Sequence, residues 1–119
     1  MTRDEFDKYC GTLPATSHVI QWGNASVWKI GGKIFAICPR WGDGDHDKFS
    51  FKCGDLSYRI LCEQPGIIPA PYLARAKWVS VQEPDAMSDG DLKAYIKEAH
   101  RLIAAKLTKK VQKELGLTA

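Results

Sequence analysis

The sequence predicts an α+β domain: a two-layer sandwich in which an antiparallel sheet of about five strands carries helices on one face. Three observations lead there. Before Pro65 the chain alternates in strand fashion around short helical segments, whereas almost everything after Val81 has helical spacing. Ile30-Gly31-Gly32-Lys33 is a two-residue hairpin signal, because the favoured hairpin turns need positive φ and glycine adopts it without a steric penalty. The strands flanking that turn also pair one strongly apolar face with one mixed face, the pattern of a sheet covered on a single side. With 119 residues the chain forms one domain, 1–119, large enough for a core without metal or disulfide staples.

Each element has a local cause. Thr2-x-x-Glu5 is a capping box, and Phe6, Tyr9, Cys10 and Leu13 follow at helical spacing until Gly11 and the Leu13-Pro14 step stop the helix. Residues 17–22 are extended, and Gly23-Asn24 turns the chain. In the hairpin, pairing Ile30 with Lys33 sets Trp28 opposite Phe35. Trp28, Ile30, Phe35 and Ile37 then share the core face, while Val27, Lys29, Ile34, Ala36 and Cys38 share the mixed one. Phe49, Phe51 and Cys53 alternate inward, with Lys48, Ser50 and Lys52 outward. Asp55 is placed to cap a helix over 56–64, ended by Pro65-Gly66.

Residues 66–71 are extended or turned around their prolines, and 77–81 form the last strand. Ser88 caps a long helix whose stripe is Leu92, Tyr95, Ile96, Ala99, Leu102, Ile103 and Leu107. Continuing that helix would put Lys110 inside the stripe. The phase therefore breaks near Thr108, and a short segment over 109–115 packs at a new angle before Gly116.

Composition narrows the function classes. Hydrophobic residues at 45% and charged residues at 26% argue against disorder. The net charge of +3, from 17 basic and 14 acidic residues, is too small for binding driven by total charge, so placement must decide. There is no apolar run long enough for a membrane span and no apolar leader, which predicts a cytoplasmic protein. Cys10, Cys38, Cys53 and Cys62 show no closely spaced pair and are expected to be free, packed thiols rather than zinc ligands or a disulfide.

No catalytic signature is present. Asp43-Gly44-Asp45-His46-Asp47 matches the first three ligand positions of an EF-hand loop, but Lys48 stands where that loop needs glycine and Gly54 where it needs glutamate. His18, His46 and His100 fit no catalytic motif, and His100 at the edge of the helix stripe reads as structural. Neither a metal, a cofactor nor an enzymatic activity is expected. The basic residues are the better candidates: Lys29, Lys48 and Lys52 on strands, with Arg40 and Trp41 in the long loop, where phosphate contacts and an exposed ring would serve nucleic-acid binding.

Taken in order, the Gly31-Gly32-Lys33-Ile34-Phe35-Ala36 turn and strand, Phe51-Lys52-Cys53, Pro65-Gly66-Ile67-Ile68-Pro69-Ala70-Pro71-Tyr72, Lys77-Trp78-Val79-Ser80-Val81 and Lys106-Leu107-Thr108-Lys109-Lys110 resemble the MmcQ/YjbR family of small bacterial proteins. Ala99-His100 departs from the Ser-Tyr found in many relatives. The resemblance implies a fold similar to the bacterial frataxin homologue (CyaY-like), in agreement with the hairpin phase. It also implies DNA binding without catalysis, a label resting on a proposed double-wing arrangement, and it carries over no site residues. The expected function is DNA binding by a monomer through Lys29, Arg40, Trp41, Lys48 and Lys52. The alternative is a protein- or small-molecule-binding module using the mixed sheet face of Val27, Lys29, Ile34 and Ala36. A frataxin-like metal role would rest on Asp4, Glu5 and Asp7, which Arg3 and Lys8 dilute.

Overall fold

The Thr2 side chain accepts from the Glu5 amide and the Glu5 carboxylate accepts from the Thr2 amide, so the capping box starts the first helix, α1 (Arg3–Thr12), as the sequence dictates. The computed structural model describes residues 1–39, 47–71 and 73–117. After α1 come β1 (Thr16–Gln21), β2 (Ala25–Ile30), β3 (Lys33–Cys38), β4 (Phe49–Lys52), α2 (Asp55–Leu61) and β5 (Ile67–Pro69). A 3₁₀ turn (Ala74–Ala76), β6 (Trp78–Val81), α3 (Asp89–Ala105) and α4 (Lys109–Glu114) complete the chain. The strands form an antiparallel sheet in the order β1-β2-β3-β4-β6-β5.

Six strands stand where about five were expected. The extra one is β5, read from sequence as part of a proline-pinned turn. Its Pro69 is compatible with a sheet because β5 is an edge strand, where a missing amide leaves no neighbour unpaired.

α1 and α3 cover one face. Phe6, Phe35, Phe51 and Ile96 are fully buried there, and α2 runs along β5 and β6 and adds Leu61. Each such side chain contributes roughly 1.5–3 kcal/mol of burial. α2 begins one residue earlier than expected, on Gly54 with no side-chain cap, and ends at Leu61, so Asp55 is its first residue rather than its cap. The predicted break at Thr108 is present: Thr108 caps α4 by accepting from the Val111 amide.

The hairpin keeps the Ile30–Lys33 pairing but not the predicted faces. Its register runs Lys29 to Ile34 and then Trp28 to Ala36, which leaves Phe35 as an extra, unpaired residue. This β-bulge turns the strand by one position. Trp28, Ile30 and Phe35 point toward the helices as expected, but Ala36 and Cys38 join them and Ile37 moves to the second face.

That second face is not open. Val27 (0% exposed), Ile37 (4%), Ala25, Ala70 and Trp78 form a smaller core of their own, with Val19, Ile34 and Leu73 packed around it. The cover comes from residues 70, 71 and 73–77, pinned at both ends. The Ala70 amide donates to the Trp78 carbonyl (3.0 Å), the Cys53 amide donates to the Lys77 carbonyl (2.9 Å), and the Lys52 ammonium donates to the Ala76 carbonyl. All four residues of β4 and all four of β6 are therefore buried.

Gly31 and Gly32 both hold positive φ in the hairpin turn, but a Cβ on Gly31 would lie 2.7 Å from Leu107 Cδ1, whereas one on Gly32 meets nothing. Gly31→Ala should therefore lower the thermal midpoint clearly more than Gly32→Ala; equal losses would mean that the turn does not touch the α3–α4 junction. Phe35→Ala should cost about 3–5 kcal/mol in urea denaturation, and a loss below about 1 kcal/mol would place the ring outside the core.

Candidate functional site

Of the residues proposed from sequence, Lys29, Lys48 and Lys52 lie among the described residues, and these three do not form one exposed surface. Lys29 is half-buried beside the hairpin turn. Arg40 and Trp41 lie outside the described residues. Lys48 and Lys52 do sit on the second face, as alternation required, but they do not project into solvent: they are 8% and 9% exposed. The covering segment accounts for this, since the Lys52 ammonium is held by the Ala76 carbonyl. Burial first, and then the nearby charge of Lys106, hold that ammonium below the usual lysine range.

A different set of cations does converge. Lys52 feels the charges of both Lys106 and Lys77, Lys33 is paired with Ile30 at the hairpin turn, and Gly31 lies against Leu107. The turn, the start of β6 and the α3–α4 junction thus share one end of the molecule. That end presents Lys29, Lys33, Arg75, Lys77, Lys106, Lys109 and Lys110, all exposed except the half-buried Lys29 and Lys77. Lys77 is fixed by a left-handed backbone (φ 62) and by packing of its ammonium over the Tyr58 ring at 5.0 Å.

The opposite end is acidic. Asp47, Glu83 and Asp89 line one shallow hollow there with Met1, whose ammonium pairs with Asp89 at 2.7 Å. Asp4 and Glu5 open α1, and Asp89 and Asp91 open α3. α3 spans the two ends, with its acidic first turn at one and Lys106 at the other, the orientation its own dipole favours.

A polar cluster absent from the sequence reading lies between α1 and the β1–β2 pair. The Ser26 hydroxyl donates to Asp7 Oδ1 (2.5 Å), Trp28 Nε1–H donates to the same oxygen (2.9 Å), and His18 Nε2 bonds Ser26 Oγ (2.7 Å) with its ring stacked on Trp28. Serine, histidine and aspartate together suggest a nucleophile, but the connectivity is wrong for one. The carboxylate binds the serine rather than orienting the imidazole, and Ser26 is 0% exposed. The cluster ties α1 to the sheet. It also uses Asp7, as the capping box uses Glu5, so two of the three acidic residues of α1 are engaged structurally. Only pairing could have revealed it: His18 lies opposite Trp28, and alternation puts Ser26 on the helix side. His100 is structural in the same sense, donating Nε2–H to the Pro14 carbonyl (2.8 Å) with its ring edge-on to Phe35.

The sequence profile of the YjbR family matches residues 11–102. The chain belongs to the YjbR family. This YjbR-family chain is similar to a crystal structure of a Deinococcus radiodurans protein with a DUF419 domain: TM-score 0.84, 23% identity, 98% of this chain and 89% of that one covered. It is also similar to the crystal structure of a Pseudomonas syringae protein: TM-score 0.69, 20% identity, 86% and 98% covered. Both likenesses concern the fold. No curated protein matches the sequence.

The cysteines of this YjbR-family domain are free; Cys10, Cys38 and Cys53 are buried and Cys62 is half-buried. Burial, reinforced by Asp7 and Cys38, pushes the Cys10 thiol far above its ordinary value, and burial pushes Cys53 up to about 11. A native-state thiol reagent should label Cys62 first and the other three only on unfolding. Because the folded-state pKa of Cys10 and Cys53 is raised, their contribution is present below the ordinary thiol pKa and lost as pH rises past it. The urea midpoint should therefore fall as pH rises from about 9 toward about 11, and fall less steeply in Cys53→Ala.

Proposed function

We propose that this YjbR-family protein binds nucleic acid, DNA first, without catalysis of its own, and that it does so through the basic end rather than through the sheet face. The observation that supports this is the separation of charge. Within a net charge of only +3, lysines from the hairpin, the start of β6, the end of α3 and the start of α4 gather at one end, where Asp55 is the carboxylate near Lys52, while Asp4, Asp47, Asp89 and Asp91 stand at the other with Arg3 among them. Lysines from separate elements on an exposed, rigid surface suit backbone phosphates, which need positive charge and access but no particular base. The buried Lys48 and Lys52 are not part of this interface, and Lys29 joins it at the hairpin. Arg40 and Trp41 lie outside the described residues, and the proposed interface does not use them.

The test is a salt-titrated binding measurement on a short DNA duplex. Lys33→Ala, Lys106→Ala and Lys110→Ala should each weaken binding and reduce the salt slope by about 0.9, alike for unrelated sequences, without altering the melting temperature. Arg40→Ala and Trp41→Ala should change little. If those two abolish binding while the lysine variants do not, the interface is the loop. If the intact protein shows no salt-dependent association with duplex or single strands, nucleic-acid binding is ruled out.

A further inference from the structure

Beneath Ala70, Pro71 and Leu73 the cover does not close fully on the sheet. It leaves a cavity of about 190 Å³ on the second face, with a volume equal to about six liquid waters. One side of it is apolar, from Ile37, Ile68, Ala70 and Leu73; the other carries Lys48 and Ser50 of the β4 side and Ser80 and Gln82 of the β6 side. These polar residues are adjacent by construction. Ser50 pairs with Ser80 across the two strands, and positions 48, 50, 80 and 82 face the same way by alternation. Gln82 Nε2 donates to Ser80 Oγ. Lys48 and Ser50 are each 8% exposed and Ser80 2%.

The lining thus sets a short polar wall against an apolar one around enclosed space, the composition of a small-ligand pocket rather than of a packed seam. We propose that this cavity is a binding site for a small carboxylic acid with a compact apolar body. In it Lys48 supplies the charge and the two serine hydroxyls supply hydrogen bonds to the carboxylate, while Ile37, Ile68 and Leu73 enclose the body. The chemistry follows from the lining: one cation, two hydroxyls and an amide on one wall select an oxyanion, and the limited volume beside an apolar wall excludes a nucleotide or a peptide. The site is separate from the basic end, so it stands whether or not the protein binds DNA.

Benzoate and benzamide, which share a shape and differ in charge, are the probes. In nuclear magnetic resonance titrations of the intact protein, benzoate should bind with Kd of about 1 mM and shift the amide signals of Ser50, Ser80 and Ile37, with benzamide at least about tenfold weaker. Lys48→Met should reduce that preference to parity while the remaining spectrum stays dispersed. Ser50→Val, which fills the cavity without touching the charge, should weaken both probes together. Equal affinity of the wild-type protein for the two probes, shifts confined to the lysines of the basic end, or no shifts near Ser50 and Ser80 at about 10 mM would each overturn the proposal, and none of these depends on a variant folding.

Discussion

Trp78 sits on the face of the sheet that carries no helix, and much of this structure depends on how it is buried. An indole left in water there would waste one of the largest apolar surfaces in the chain, so something other than a helix must cover it. Ala70, Leu73 and the turn that follows do so. The prolines before them keep the segment from becoming helical, the 3₁₀ turn and the left-handed Lys77 fold it back, and the Lys52 ammonium holds its Ala76 carbonyl. Because this cover exists, β4 and β6 are buried on both faces and the sheet's central strands carry two cores. The same cover fixes which lysines reach solvent.

Much of this fold was legible in the sequence, and the parts that were not have specific causes. The capping box, the glycine turn and the phase break at Thr108 are local signals, settled within a few residues, and each was found in place. The faces of β3 were legible only up to Phe35. Strict alternation couples Phe35 to Ile37, and a bulge that inserts one residue cannot be seen in an alternating apolar run, since Ile34, Phe35, Ala36 and Ile37 satisfy either phase. Strand β5 was hidden because proline at an edge and proline in a loop look alike until the neighbour is known.

The site was less legible than the fold. Alternation correctly put Lys48 and Lys52 on the second face, but a lysine on that face reads as solvated unless the sequence also says what covers it. Here the cover comes from residues some twenty positions away, and their docking is tertiary. The basic end escaped for the complementary reason. Lys33, Lys77 and Lys106 come from segments far apart in the chain, and only the antiparallel order of β3, β4 and β6 with α3 across them makes them neighbours. The Asp7–Ser26–His18 cluster is likewise a product of strand pairing.

The charge arrangement along α3 has a consequence for kinetics. A body with most of its described carboxylates toward one end and a lysine cluster at the other carries a permanent moment, which a strong external field acts on as a torque before any contact is made. Near a polyanion, within a Debye length of about 8 Å at physiological ionic strength, rotation is biased so that the hairpin and the α3–α4 junction lead and the first turns of α1 and α3 trail. Orientation is ordinarily what limits how many collisions succeed, and if nucleic acid is the ligand, as proposed, part of that search is resolved while the molecule is still diffusing.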